Sequence, residues 1–271
     1  MGTSTNYSAS PNWRDTKQRV TQAGGEGFVT PEKAESLIST LVSQMAKEPS
    51  LGFGSSSGGS GGGGGSGGVG GSGGGGSRGG TSGGRSTRVS GGSIRNVARG
   101  VGSFLSEVQQ KGFEQALADH GLTDLSDKSP DEIALELADI LCEPASLIDD
   151  TVLRDALIDM MMEWSEGQDS FEDLSANFEE ASSDINGVLH GLMGHYIYQV
   201  FKSVGYQGVL NNHGFEAAES MCGQIRDYID ARVSDVESTR NLSSVDWNGQ
   251  DGADVVDGIV SDTLDLFGGN E

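Results

Sequence analysis

A formal charge of −23 on 271 residues sets the first limits on what this chain does. Residues 106–271 carry 35 acidic against seven basic side chains, a field that repels phosphate backbones and anionic lipid, so neither nucleic acid nor a membrane surface is an expected partner. No apolar run of 18 residues and no signal-peptide core is present, which predicts a cytoplasmic chain that neither spans a membrane nor is secreted.

Taken in order, residues 1–11 (MGTSTNYSASP) are polar and unpatterned and predict a disordered tip. Initiator Met is normally removed before a residue as small as Gly2, which leaves a glycine amine at the end of the chain. Asn6 stands where myristoylation needs Ser or Thr. A short helical arm follows over 12–51. Asn12 caps a first helix, Trp13–Ala23, stopped by Gly24-Gly25; Thr30-Pro31 opens a second. The apolar positions Leu37, Ile38, Leu41, Val42 and Met45 of that second helix share one face. Two such helices need a partner surface, either the rest of this chain or another protein.

Residues 52–92 form a Gly/Ser-rich tract. Between Ser55 and Ser82 only Val69, Arg78 and Thr81 are neither Gly nor Ser. So little apolar surface cannot offset the backbone entropy of glycine, and the tract predicts a flexible coil with an r.m.s. span of about 35 Å. It reads as a tether that lets one end of the chain reach out while the other stays docked, or as a passive spacer.

Residues 93–271 form an acidic body. Ser93 caps a helix through about Asp119, weakened by Gly100, Gly102 and Gly112, which signal close packing or a break. Ser129-Pro130-Asp131-Glu132 is a capping box opening a helix to Glu143. Further helices are expected over Asp149–Trp164, from the Ser170 cap to Ala181, and over His213–Glu237 and Asp251–Phe267. Asp184–Val204 is apolar on several faces and predicts the central buried helix. No strand alternation and no internal repeat appears, so the fold class is all-α, a bundle of about seven helices. Cys142 and Cys222 lie among apolar neighbours and read as buried thiols rather than a disulfide. Scarce Lys and abundant Asp suit a halophilic cytoplasm, where salt screens the charge.

Few residues suggest chemistry. His190 and His195 are five apart on one helix and point in different directions, whereas helical zinc sites want i, i+4 and a third ligand. His120 and His213 read as helix-end residues. No His has Glu three positions before it, as a di-iron site requires. Acid pairs such as Glu179/Glu180 and Asp149/Asp150 read as solvated faces, and the glycines supply neither a P-loop lysine nor the strand before it. The Arg85–Arg99 stretch lacks interleaved aromatics and reads as neutralising the acidic body. Trp247 sits between two helices, as a functional patch or a plug under the bundle; the Met160–Trp164 cluster reads as core. The body is not expected to be an enzyme, and no cofactor or metal is expected.

Several stretches together resemble the QatB family, the B component of the four-gene Qat anti-phage defence system. They are MGTS at Met1–Ser4, the low-complexity joint, VARGVGSF at Val97–Phe104, YIYQVF at Tyr196–Phe201, and Asp246-Trp247 before a final helix. The joint, often Pro-rich in the family, is Gly-rich here, and residues 5–11 lack the family's Gly-Pro elements. The resemblance implies a non-enzymatic member of a complex with an ATPase, a QueC-like enzyme and a TatD-like nuclease. QueC-type enzymes make 7-deazaguanine compounds with ATP, and in related systems a QueC-like protein attaches such a base to a partner's N-terminal glycine. Gly2 is then the implied acceptor, with Thr3 and Ser4 as recognition residues. The alternative is a scaffold that joins the ATPase to the nuclease without modification.

Overall fold

Local start signals set several helix boundaries in the computed structural model, which describes residues 13–47, 93–125, 128–142, 148–236, 242 and 244–268. These residues form ten helices: α1 (Trp13–Gly24), α2 (Pro31–Lys47), α3 (Ser93–Lys111), α4 (Phe113–Asp119), α5 (Pro130–Leu141), α6 (Ile148–Ser165), α7 (Phe171–Ser183), α8 (Ile185–His213), α9 (Phe215–Ser234) and α10 (Gln250–Leu266). No strand occurs among the described residues, so the fold is the all-α class expected. At α5 the capping box is complete. The Ser129 hydroxyl accepts from the Glu132 N–H at 3.3 Å, and the Glu132 carboxylate accepts from the Ser129 N–H at 2.8 Å. Ser170 and Asp184 cap α7 and α8 in the same manner, accepting from the N–H groups of Asp173 and Gly187.

Most ends fall within one to three residues of expectation, and glycine explains three of the departures. The helix expected over 93–119 is two helices, because Gly112 takes φ +84 and turns the chain between α3 and α4. Eight helices therefore follow Ser93 among the described residues, rather than about seven. The central helix runs on past Val204 to His213, through Gly205 and Gly208, because those glycines are covered by α1. Gly214, at φ +88, then ends α8 and makes α9 begin at Phe215.

The core is built around α8, of whose 29 residues sixteen are buried. Packed against it are α1, α3, α6, α9 and α10, so it has no free face over its middle turns. Each Leu, Ile or Phe buried here contributes about 1.5–3 kcal/mol of transfer free energy. α6 and α9 both run antiparallel to α8, as the pairs Asp159–Gln199, Glu163–His195 and Glu219–Tyr206 show. Cys142 and Cys222 are buried and no disulfide joins them. No helix among the described residues is long and apolar enough to cross a membrane.

Candidate functional site

The N-terminal hairpin, α1 and α2, takes the body of this same chain as its partner surface. α1 runs parallel to α8, and small residues let the two backbones approach closely. A Cβ built on Gly205 would overlap Val20 Cγ1 and lie 3.2 Å from Val20 Cβ; one on Gly208 would lie 2.5 Å from Thr21 Oγ1. One turn on, Gly24 fits against Val209, and a Cβ on Gly25 would lie 2.6 Å from the His213 ring. Val29 N–H, in the loop before α2, donates to the Gln224 side chain of α9. The apolar face of α2 (Leu37, Ile38, Leu41, Val42, Met45) is fully covered and belongs to the same core as α8. Beyond it, Gly268 at the end of α10 meets Ser39.

This packing fixes both flanks of the glycine tract. α2 ends at Lys47 and α3 begins at Ser93, and both helices are anchored in one core. The tether reading placed the free end of the chain on the far side of that tract. In the structure the fixed point lies before it instead, at Trp13, which is 1% exposed. Gly2, Thr3 and Ser4 lie outside the described residues, as do residues 48–92. Gly2 is eleven residues from Trp13, at most about 40 Å of extended chain.

A polar seam crosses α6, α8 and α9. The Arg226 guanidinium joins Glu163 of α6 and Asp230 of its own helix, the latter at 2.9 Å, and lies 5.1 Å over the Tyr198 ring. His195, buried between them, is 3.4 Å from Glu163 through Nε2 and 3.3 Å from Arg226 through Nδ1. The hydrogen bond from His195 holds the Glu163 carboxyl below its ordinary range, against burial, with further help from the His195 and Arg226 charges. Along the same seam Gln199 donates to Asp159, and burial together with Asp159 raises the Asp155 carboxyl. Burial, reinforced by Glu219, pushes the Cys222 thiol up to about 11, so near neutrality it is neither a thiolate nor a nucleophile. Tyr198 is pushed up to about 12, chiefly by burial. The seam ties three helices together through charge-assisted hydrogen bonds.

The remaining histidines are dispersed. His190 faces α10, where its Nδ1 is 3.1 Å from Thr263 Oγ1; that hydroxyl itself donates to Ile259 O at 2.8 Å, so it accepts from the ring. His120 stacks edge-on to Phe104 at 5.5 Å, and His213 lies beside Gly25. Among the described residues no group of three or more His, Cys, Asp or Glu stands close enough to hold a metal ion. Glu179 and Glu180 are exposed; the side chains of Asp149 and Asp150 lie outside what the structure describes. Trp247 is the plug rather than the patch. Its indole N–H donates to Ser106 Oγ at 2.7 Å, its ring fills the notch at Gly102, and its backbone presses on Gly252. Met160 and Met161 are core.

The reading of residue types alone passed over an aromatic stack beside α4. Phe171, Phe113 and Phe178 lie ring on ring, with centroid spacings of 5.7 and 4.4 Å, and Trp164 meets Phe178 edge-on at 5.0 Å. Phe171 and Phe178, two turns apart on α7, were the available signal.

No curated protein and no solved structure matches this chain. One family model does, that of the Qat anti-phage system associated protein QatB, over residues 79–267. The match takes in all of α3 to α10, the Trp247 plug and the polar seam, and it leaves out α1, α2 and the tip. Spanning well over half of the sequence, it establishes that the chain belongs to the QatB family.

Proposed function

We propose that this component of the Qat anti-phage system is a protein substrate rather than an enzyme: its Gly2 amine accepts a deazaguanine base from the system's QueC-like enzyme, with Thr3 and Ser4 held in that enzyme's cleft. The observation that carries the reading is the anchoring of Trp13 and α1 on α8. An enzyme docked on the body then meets a tip that never leaves its reach. A short link of this kind keeps an end group at an effective concentration of about mM, well above that of a separate peptide in the cell. The amine is also suited to acylation: a deazaguanine carboxyl group activated by ATP forms an amide with the Gly2 nitrogen, the activating phosphoryl group leaves and the amine gives up a proton. An α-amino group titrates about two to three units below a lysine amine, so near neutral pH it has the larger nucleophilic fraction. The acidic body serves as the docking platform, and the ATPase and TatD-like nuclease are further partners within the same complex.

The test is intact mass and N-terminal peptide sequencing of the protein purified with and without the neighbouring genes. A mass increase on Gly2 that requires the QueC-like gene supports the proposal, and Gly2→Leu then abolishes both the increase and protection against phage. An unmodified N-terminus in both preparations, with protection intact in Gly2→Leu, leaves the scaffold role in its place.

A further inference from the structure

The aromatic stack ends at a groove of about 560 Å³ between α4, the segment after it and the start of α7. Phe171, half-buried, has one face on Phe113 and lines this groove, with Leu122 and Leu125 as walls. Glu114 and Glu172, both exposed, line it too, each in the first turn of its helix. The one cation of the lining, Lys128, is already joined to Glu136. No described residue neutralises Glu114 or Glu172. An aromatic face beside two carboxylates matches one side chain in particular. A planar guanidinium stacks on the ring and offers forked donors to carboxylate, which an ammonium does not.

The chain itself carries that group. Arg78, Arg85 and Arg88 stand among small residues before α3, with no acid between residues 52 and 105. Arg85 is eight residues from Ser93 and Arg78 fifteen, which extended span about 27 and 51 Å. α3 is about 28 Å long, and α4 folds back on its second half, where His120 is 3.7 Å from Glu107. The groove is therefore within reach, and Arg95 already bonds Asp257 of α10 just beyond the segment. We propose that the groove binds an arginine side chain from residues 78–92 of the same chain, folding the basic end of the tract onto the acidic body. This rests on neither Gly2 nor its modification.

The experiment is an NMR titration of the full chain with the capped peptide Gly-Gly-Arg-Ser-Gly. In the parent protein the chain's own arginines compete at an effective concentration of about mM. The triple variant Arg78→Ser/Arg85→Ser/Arg88→Ser is expected to bind the peptide about tenfold more tightly than the parent. Adding Glu114→Gln and Glu172→Gln to it, both at exposed positions, is expected to abolish binding while the melting temperature holds. Equal affinity in parent and triple variant overturns the proposal by showing that the groove is not occupied from within, so that any arginine it takes comes from a partner. Absence of binding to the triple variant overturns it outright.

Discussion

If α1 and α8 meet as closely as Val20 and Gly205 indicate, the two residues should be coupled with a sign that neither shows alone. Placing Ala at position 205 raises helix propensity, worth about 1 kcal/mol in isolation. Here the added methyl overlaps Val20 Cγ1, and Val20 is completely buried, so it has no solvent to move into. Overpacking of this kind costs about 3 kcal/mol at the upper end of its range, and Gly205→Ala should be destabilising by about 2 kcal/mol net. Val20→Ala removes two methyl groups from the core and should cost about 2 kcal/mol by itself. In the double variant the clash is gone and the helix gain remains, so the total should be about 1 kcal/mol, against about 4 if the sites were independent. The coupling is about 3 kcal/mol. Urea unfolding followed by far-UV circular dichroism reads this directly. With m near 2 kcal/mol/M, Gly205→Ala alone shifts the midpoint by about 1 M. A midpoint that rises in Gly205→Ala, or single effects that simply add, would refute the close seat of the hairpin.

Other outcomes follow from the seam and the plug. Trp247→Phe keeps most of the ring but leaves the buried Ser106 hydroxyl without its indole donor, and thermal melting should show a loss of about 1–2 kcal/mol. Glu163 has a lowered pKa, so the stability it contributes is complete above its unfolded value of 4.5 and is lost as pH falls through the lower folded value. Glu163→Gln should therefore flatten the acid limb of the stability profile below pH 4.5, modestly because the side chain is half exposed, and leave the profile near pH 7 unchanged in slope. With its thiol near 11, Cys222 in the native protein should react with iodoacetamide at pH 8 about 100-fold more slowly than an exposed cysteine, as peptide mass mapping over time would record. Labelling at the exposed rate would remove burial as the cause.

How much of this was legible beforehand divides along the range of the interactions. Helix starts are set by neighbours in the chain, so the capping box at Ser129 and the caps at Ser170 and Asp184 could be read from spacing alone. The apolar face of α2 and the many-sided apolarity of α8 likewise announced an all-α core and the identity of its central helix. Glycine was the ambiguous letter. Gly102, Gly112 and Gly205 look alike to propensity, yet one is a notch for Trp247, one turns the chain at positive φ, and one is a seat for Val20. What separates them is a contact with a residue 145 or 185 positions away in the first and third cases, and a backbone angle in the second. The seam of Glu163, His195 and Arg226 comes from three helices whose relative rotation is settled only when the core packs. The chain's own letters thus determined helices, caps, charge and family. Tertiary structure alone decided that the N-terminal hairpin is bound to the body through α8, so that the chain is anchored ahead of the glycine tract as well as after it. Packing is a long-range sum over surfaces, and no local window of sequence contains it.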